Sequence, residues 1–123
     1  MKLALVPVPV SDVDRAKLFD VGKVGFKVKC DVRSGPAVRV VQLTPPGSAC
    51  SIVFGTGMPH IKMRAGSLRG LHLAVPDIVK TRKTLKGRGI KVGKIVNVGD
   101  KDGDTIRFAS FSDPDGNAWA LFQ

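Results

Sequence analysis

The chain repeats itself, and that repeat limits its possible folds more than any other feature. Val8-Pro9-Val10-Ser11-Asp12-Val13 returns 65 residues later as Leu73-Ala74-Val75-Pro76-Asp77-Ile78. A basic stretch follows each copy. Then comes Gly25-Phe26-Lys27-Val28 in the first and, 64 residues on, Gly89-Ile90-Lys91-Val92 in the second. Leu43-Thr44-Pro45-Pro46-Gly47 leads into Ser51-Ile52-Val53-Phe54. Phe111-Ser112-Asp113-Pro114-Asp115-Gly116 leads into Trp119-Ala120-Leu121-Phe122, with Phe122 placed 68 residues after Phe54. Self-similarity of this kind marks one supersecondary unit used twice.

Each copy reads the same way. An alternating apolar strand runs into an Asp suited to cap a helix, Asp12 or Asp77. Val13, Ala16 and Phe19 give the first helix its apolar face, and Ile78, Thr81 and Leu85 the second. Gly22 and Gly87 are the expected helix stops. A strand over 26–32, or over 90–98, comes next, and a hairpin with a Pro/Gly turn closes the copy. The order is β-α-β-β-β, twice: an α+β domain of two pseudo-symmetric βαβββ modules, 1–57 and 67–123, joined by a linker over 58–66.

Composition narrows the setting. Hydrophobic residues make up 43% of 123, enough for one domain core, and no apolar run is long enough to cross a bilayer. The amino end reads as a strand and not as a leader, and Cys30 and Cys50 read as small thiols in a reducing cytoplasm, with a single disulfide as the alternative. Charge is the anomaly: 20 Lys and Arg stand against 10 acidic residues, all Asp, for a net +10. Lys80, Arg82, Lys83, Lys86, Arg88, Lys91 and Lys94 run with no acid between Asp77 and Asp100. Such a run is usually a solvated face, and its expected effect is weak, non-specific attraction of anions.

The runs Val8-Pro9-Val10-Ser11-Asp12-Val13-Asp14-Arg15-Ala16-Lys17-Leu18-Phe19, Val24-Gly25-Phe26 and Arg107-Phe108-Ala109-Ser110-Phe111-Ser112-Asp113-Pro114-Asp115-Gly116-Asn117 resemble the first helix and closing hairpin of the glyoxalase/bleomycin-resistance/dioxygenase (vicinal oxygen chelate) superfamily. The resemblance spans nearly the whole chain and implies cup-shaped mixed sheets. One departure is Asp20, where the family usually has Tyr, so helix packing is expected to differ there. Isomerases, dioxygenases, transferases and drug-sequestering proteins share this fold, so the fold alone names no activity.

Enzymes of the superfamily usually hold one divalent metal through His, Gln or Glu at matched strand positions. Carried onto this chain, those positions are Leu5, Gly70, Ala120 and, by the repeat offset, Ile52, none with a donor side chain. Shifting the register by one residue brings in no His or carboxylate. His72 lies two residues beyond Gly70, and His60 falls in the linker, where it is expected to be exposed. No nucleophile elbow, phosphate loop or Cys-x-x-Cys is present. Asp100, Asp102 and Asp104 lack the other ligands of a calcium loop and read as a polar turn. The resemblance therefore points to the metal-free branch, with no cofactor.

Strand alternation places Leu5, Ile52, Gly70, His72 and Ala120 on one face, the cleft face by analogy, with Cys50, Phe54 and Phe122 in phase. Arg39, Arg107 and Phe111 are expected to point the same way, two Arg offering forks to an anionic ligand, while Trp119 packs beneath a helix. The expected function is metal-independent, sequestering binding of a small organic ligand, neutral or anionic and possibly antibiotic-like. The expected assembly is a homodimer that builds the cleft jointly, with the first strand, stiffened by Pro7 and Pro9, available for exchange. The alternatives are a metal-free lyase or isomerase using His72, and a nucleic-acid-associated basic protein.

Overall fold

The computed structural model describes residues 1–58, 62–99, 102–103 and 105–123, which form two compact units. The first comprises Met1–Leu68 with the turn Asp113–Asn117, the second Arg69–Ser112 with Ala118–Gln123. Each unit holds one four-stranded mixed sheet and one helix, the α+β pairing expected of the two modules.

In the first unit, β1 (Leu5–Pro7), β2 (Lys27–Ser34), β3 (Val38–Thr44) and β4 (Ser51–Thr56) form a sheet in the order β1-β4-β3-β2. Helix α1 (Val13–Lys17) starts where the Asp12 carboxylate accepts from the Arg15 N–H at 3.0 Å, satisfying an amide that has no partner inside the helix. It does not stop at Gly22. The chain widens into a π-helical segment over Leu18–Val24 and ends at Gly25, whose φ of 102° is open to glycine at little cost. The β3 run of Val, Leu and Thr buries every second residue, Arg39, Val41 and Leu43. Those three pair with Thr56, Phe54 and Ile52 of β4 and share their face.

Helix α1 covers that face. Arg39 spans the join: its guanidinium donates to both oxygens of Asp31 at 3.0 and 2.9 Å and to Asp14 of α1 at 2.7 Å, while Lys17 donates to Asp31 at 2.8 Å. Hydrogen bonds from Arg39 and then Lys17 hold the Asp31 carboxyl well below the usual range, and the same bonds raise Arg39.

The turn Asp113–Asn117 locks this unit. Asn117, fully buried, donates to the Pro9 carbonyl and to Asp113, both at 2.8 Å, and accepts from the Leu68 N–H. Asp113 also accepts the Asp115 and Asn117 amides. Asp115 accepts from Ser11 and Arg15. Gly66 passes so close to the Asp115 carbonyl, at a φ of 79°, that no Cβ fits. The closing motif is thus explained by buried hydrogen bonds. Asp20, the departure noted above, is itself only 3% exposed. Burial, with the Asp113 carboxylate adding to it, pushes its carboxyl up to about 8.

In the second unit, β5 (Leu71–Ala74), β6 (Val96–Gly99), β7 (Thr105–Ser112) and β8 (Ala118–Phe122) run in the order β5-β8-β7-β6. Helix α2 (Ile78–Gly87) is capped by Asp77 on the Lys80 N–H at 3.0 Å. Gln123 accepts from the Ile78 N–H at 2.7 Å, which lays the first turn of α2 on the face carrying Trp119 and Leu121. The strand expected over 90–98 is confined to Val96–Gly99. Arg82 of α2 donates to the Gly93 and Val92 carbonyls and diverts them from a ladder, so the strand begins only after them.

Candidate functional site

A sheet has two faces, and here each helix covers only one. In the second unit, α2 lies over Trp119, Leu121, Ala109 and Phe111, all buried, with Phe111 and Trp119 stacked at 6.2 Å and 10°. The other face carries three cross-strand rows. His72, Ala120 and Ser110 form one, Ala74, Phe122, Phe108 and Val96 the next, and Ile106 with Val98 the third.

A sheet face meant for water carries polar side chains. This one does not: Val96, Val98, Ile106 and Phe122 are 44, 53, 46 and 37% exposed. An apolar face of this extent marks a binding surface. His72 is its polar member. Its Nδ1 lies 2.7 Å from the Gly70 carbonyl, which only accepts, so the proton sits on Nδ1 and Nε2 is left as an acceptor. Its ring meets Phe122 edge-on at 5.9 Å.

The open face of the first sheet is set by the pairs Leu5 with Ser51 and Pro7 with Val53, continuing through Gln42 to Cys30 and through Val40 to Val32. Leu5 and Val32 are exposed, Val40 and Cys30 half-buried. A separate cavity of about 120 Å³ near Val8, Gly55 and Met58 is smaller than the ~300–1,000 Å³ that encloses an organic ligand.

The residues expected at the cleft divide between the faces. Leu5, His72, Ala120 and Phe122 lie on the open faces, and Gly70 is exposed just before β5. Ile52, Phe54 and Arg39 lie instead beneath α1, and Phe111 and Arg107 share the face of Trp119. The correction has one physical cause. Six residues separate β3 from β4 but five separate β7 from β8, so the repeat offset falls from 68 to 67 across that turn. A shift of one residue in a strand turns every side chain to the opposite face. Val53, not Ile52, is the counterpart of Ala120.

The two Arg also part company. Arg39 is consumed by Asp31 and Asp14, whereas Arg107 donates its Nε to Asn97 at 3.1 Å. Cys50 sits half-buried just before β4, its N–H donating to Ser48, and both Cys30 and Cys50 are free thiols. Trp119 does lie on the helix-covered face. Sequence reasoning missed the row of Val96, Val98, Ile106 and Phe108. Their strict alternation was the available signal, obscured by reading the strand from residue 90. His60, Asp100 and Asp104 lie outside the described residues.

The metal usual in this fold does not fit. With the register corrected, the matched positions are Leu5, Val53, Gly70 and Ala120, which offer no nitrogen or oxygen donor. Among the described residues, no three His, Cys or Asp side chains gather to hold an ion.

Comparison with known proteins agrees with this architecture. Residues 2–121 match the model of the Glyoxalase/Bleomycin resistance protein/Dioxygenase superfamily. Among solved structures, the chain is similar to TnmS3, an antibiotic binding protein from Streptomyces sp. CB03234, at 38% identity and a TM-score of 0.82, over 98% of this chain and 93% of that one. It is 40% identical to a glyoxalase/bleomycin resistance protein from the same organism, with a TM-score of 0.80 over 99% and 100% of the two chains. A superfamily member from Sphaerobacter thermophilus DSM 20745 is 30% identical, with a TM-score of 0.78 over 99% and 96%. No curated protein matches.

Proposed function

Because the chain belongs to the glyoxalase/bleomycin resistance protein/dioxygenase superfamily, we propose that it binds a small, antibiotic-like organic molecule without metal and holds it by sequestration. The observation that carries this reading is the apolar open face of the second sheet, where Val96, Val98, Ile106, Phe108 and Phe122 flank one polar group, His72. A ligand pocket combines that ingredient set, mostly hydrophobic wall with few orienting polar atoms. The likeness to an antibiotic binding protein supports the ligand class.

The ligand is neutral or anionic. The open faces carry no carboxylate in their paired strands, and a net charge of +10 repels a cation. Two chains pair to cover the open faces, which a lone copy would leave to water. Sequestration follows from the chemistry at hand: His72 Nε2 is an acceptor with no acid or nucleophile bonded to it.

The test is a calorimetric titration of polycyclic antibiotics into protein dialysed against EDTA, with light scattering on the same sample. We expect a dimer, at least one micromolar ligand, and no change on adding Zn²⁺. Ile106→Lys should weaken that ligand at least about tenfold by placing a charge in the apolar wall. A monomer at all concentrations, or binding restored only by metal, overturns the proposal.

A further inference from the structure

The second unit carries a charge surface that ligand binding does not use. Lys80, Arg82, Lys83 and Lys86 lie on α2, and Arg88, Lys91 and Lys94 on the segment that leaves it, with no acidic residue among them. Arg82, bonded to the Gly93 and Val92 carbonyls, ties that segment to the helix and draws Lys91 and Lys94 close to the helical lysines. Lys80, Lys83, Lys86, Lys91 and Lys94 are exposed, and none enters the four ion pairs found among the described residues, all of which lie in the first unit. Asp77, the nearest carboxylate in sequence, caps its own helix.

We infer that this surface binds the phosphate backbone of duplex DNA without reading its sequence. Single strands need aromatic platforms, and the stretch from Ile78 to Gly99 contains none. A lipid surface needs apolar side chains to insert beside the cations, and Val79 is the sole exposed large apolar residue on α2. A protein partner is usually anchored by buried aromatic hot spots, again missing here. A duplex backbone asks only for closely spaced cations, and it carries one charge per ~1.7 Å of axis.

Four lysine–phosphate contacts give a slope of about −4 in log affinity against log salt, so binding falls about 50-fold between 50 and 150 mM. Fluorescence anisotropy of a labelled 20-base-pair duplex, run with the full chain, measures this. Lys83→Gln/Lys86→Gln/Lys91→Gln should lose most of the binding at 50 mM salt and cut the slope by about three. Lys27→Gln/Lys29→Gln/Lys62→Gln removes the same net charge from exposed sites in the first unit. It should change affinity less than threefold. Circular dichroism confirms that each variant is folded. Equal losses in both triple variants, no duplex binding at 50 mM, or capture by phosphatidylserine vesicles in place of the duplex each overturns the inference.

Discussion

Replacing Asp20 by Asn tests whether a carboxyl can be carried in the first unit as a neutral group. Asp20 is 3% exposed, and burial beside the Asp113 carboxylate raises it from 3.8 to about 8. At pH 7 the unfolded chain ionises this group freely while the folded chain keeps it protonated. Each unit of pH between the two values costs about 1.4 kcal/mol. The folded state therefore bears about 4 kcal/mol at pH 7 that Asn, which never ionises, does not. The sign follows from the raised value: the favourable contribution is complete below pH 3.8 and is lost as pH rises through about 8. Urea unfolding followed by circular dichroism at pH 4, 5, 7 and 9 measures it. Asp20→Asn should match the parent at pH 4 and exceed it progressively to pH 8. A gain in melting temperature on the order of 10 °C is expected at pH 7. A variant parallel to the parent at every pH would show that Asp20 ionises in place with compensation from a cation, and the reasoning would fail.

Arg39→Gln removes the donor that holds Asp31 and Asp14 together. It should cost about 3 kcal/mol at pH 7. The loss should shrink below pH 4, because the lowered Asp31 contributes stability only above its unfolded value; urea midpoints at pH 3 and 7 decide. Gly66→Ala drives a Cβ into the Asp115 carbonyl at a φ of 79° and should cost at least about 2 kcal/mol, whereas Gly47→Ala, at a φ of 81° with open space around it, should cost about 1. Equal melting temperatures for these two alanine variants would refute the close approach at Gly66.

The capping aspartates and the doubled module were readable from the chain because they depend on neighbours within one turn. Asp12 and Asp77 bond to amides three residues on, as any such cap must. The faces of the closing strands were not readable. They depend on the one-residue difference between the turns before β4 and β8, and no side chain near Pro45 or Asp113 announces which way the next strand is rolled. Arg39 illustrates the same limit. An Arg inside an alternating strand offers a fork to any anion, and only the placement of Asp31 and Asp14 against it shows that the chain supplies the anion itself.

The turn Asp113–Asn117 counts with the first unit although 44 residues of the second, Arg69–Ser112, precede it. Until it arrives, the Pro9 carbonyl and the Leu68 amide lack the partner that Asn117 brings. As the polypeptide emerges from the ribosome, the first unit therefore waits for residue 117 of 123 to complete its own hydrogen bonding. The duplicated module has given up independence: neither half of the message encodes a finished piece, and a stop codon anywhere before Asn117 leaves the earlier unit unclosed as surely as the later one.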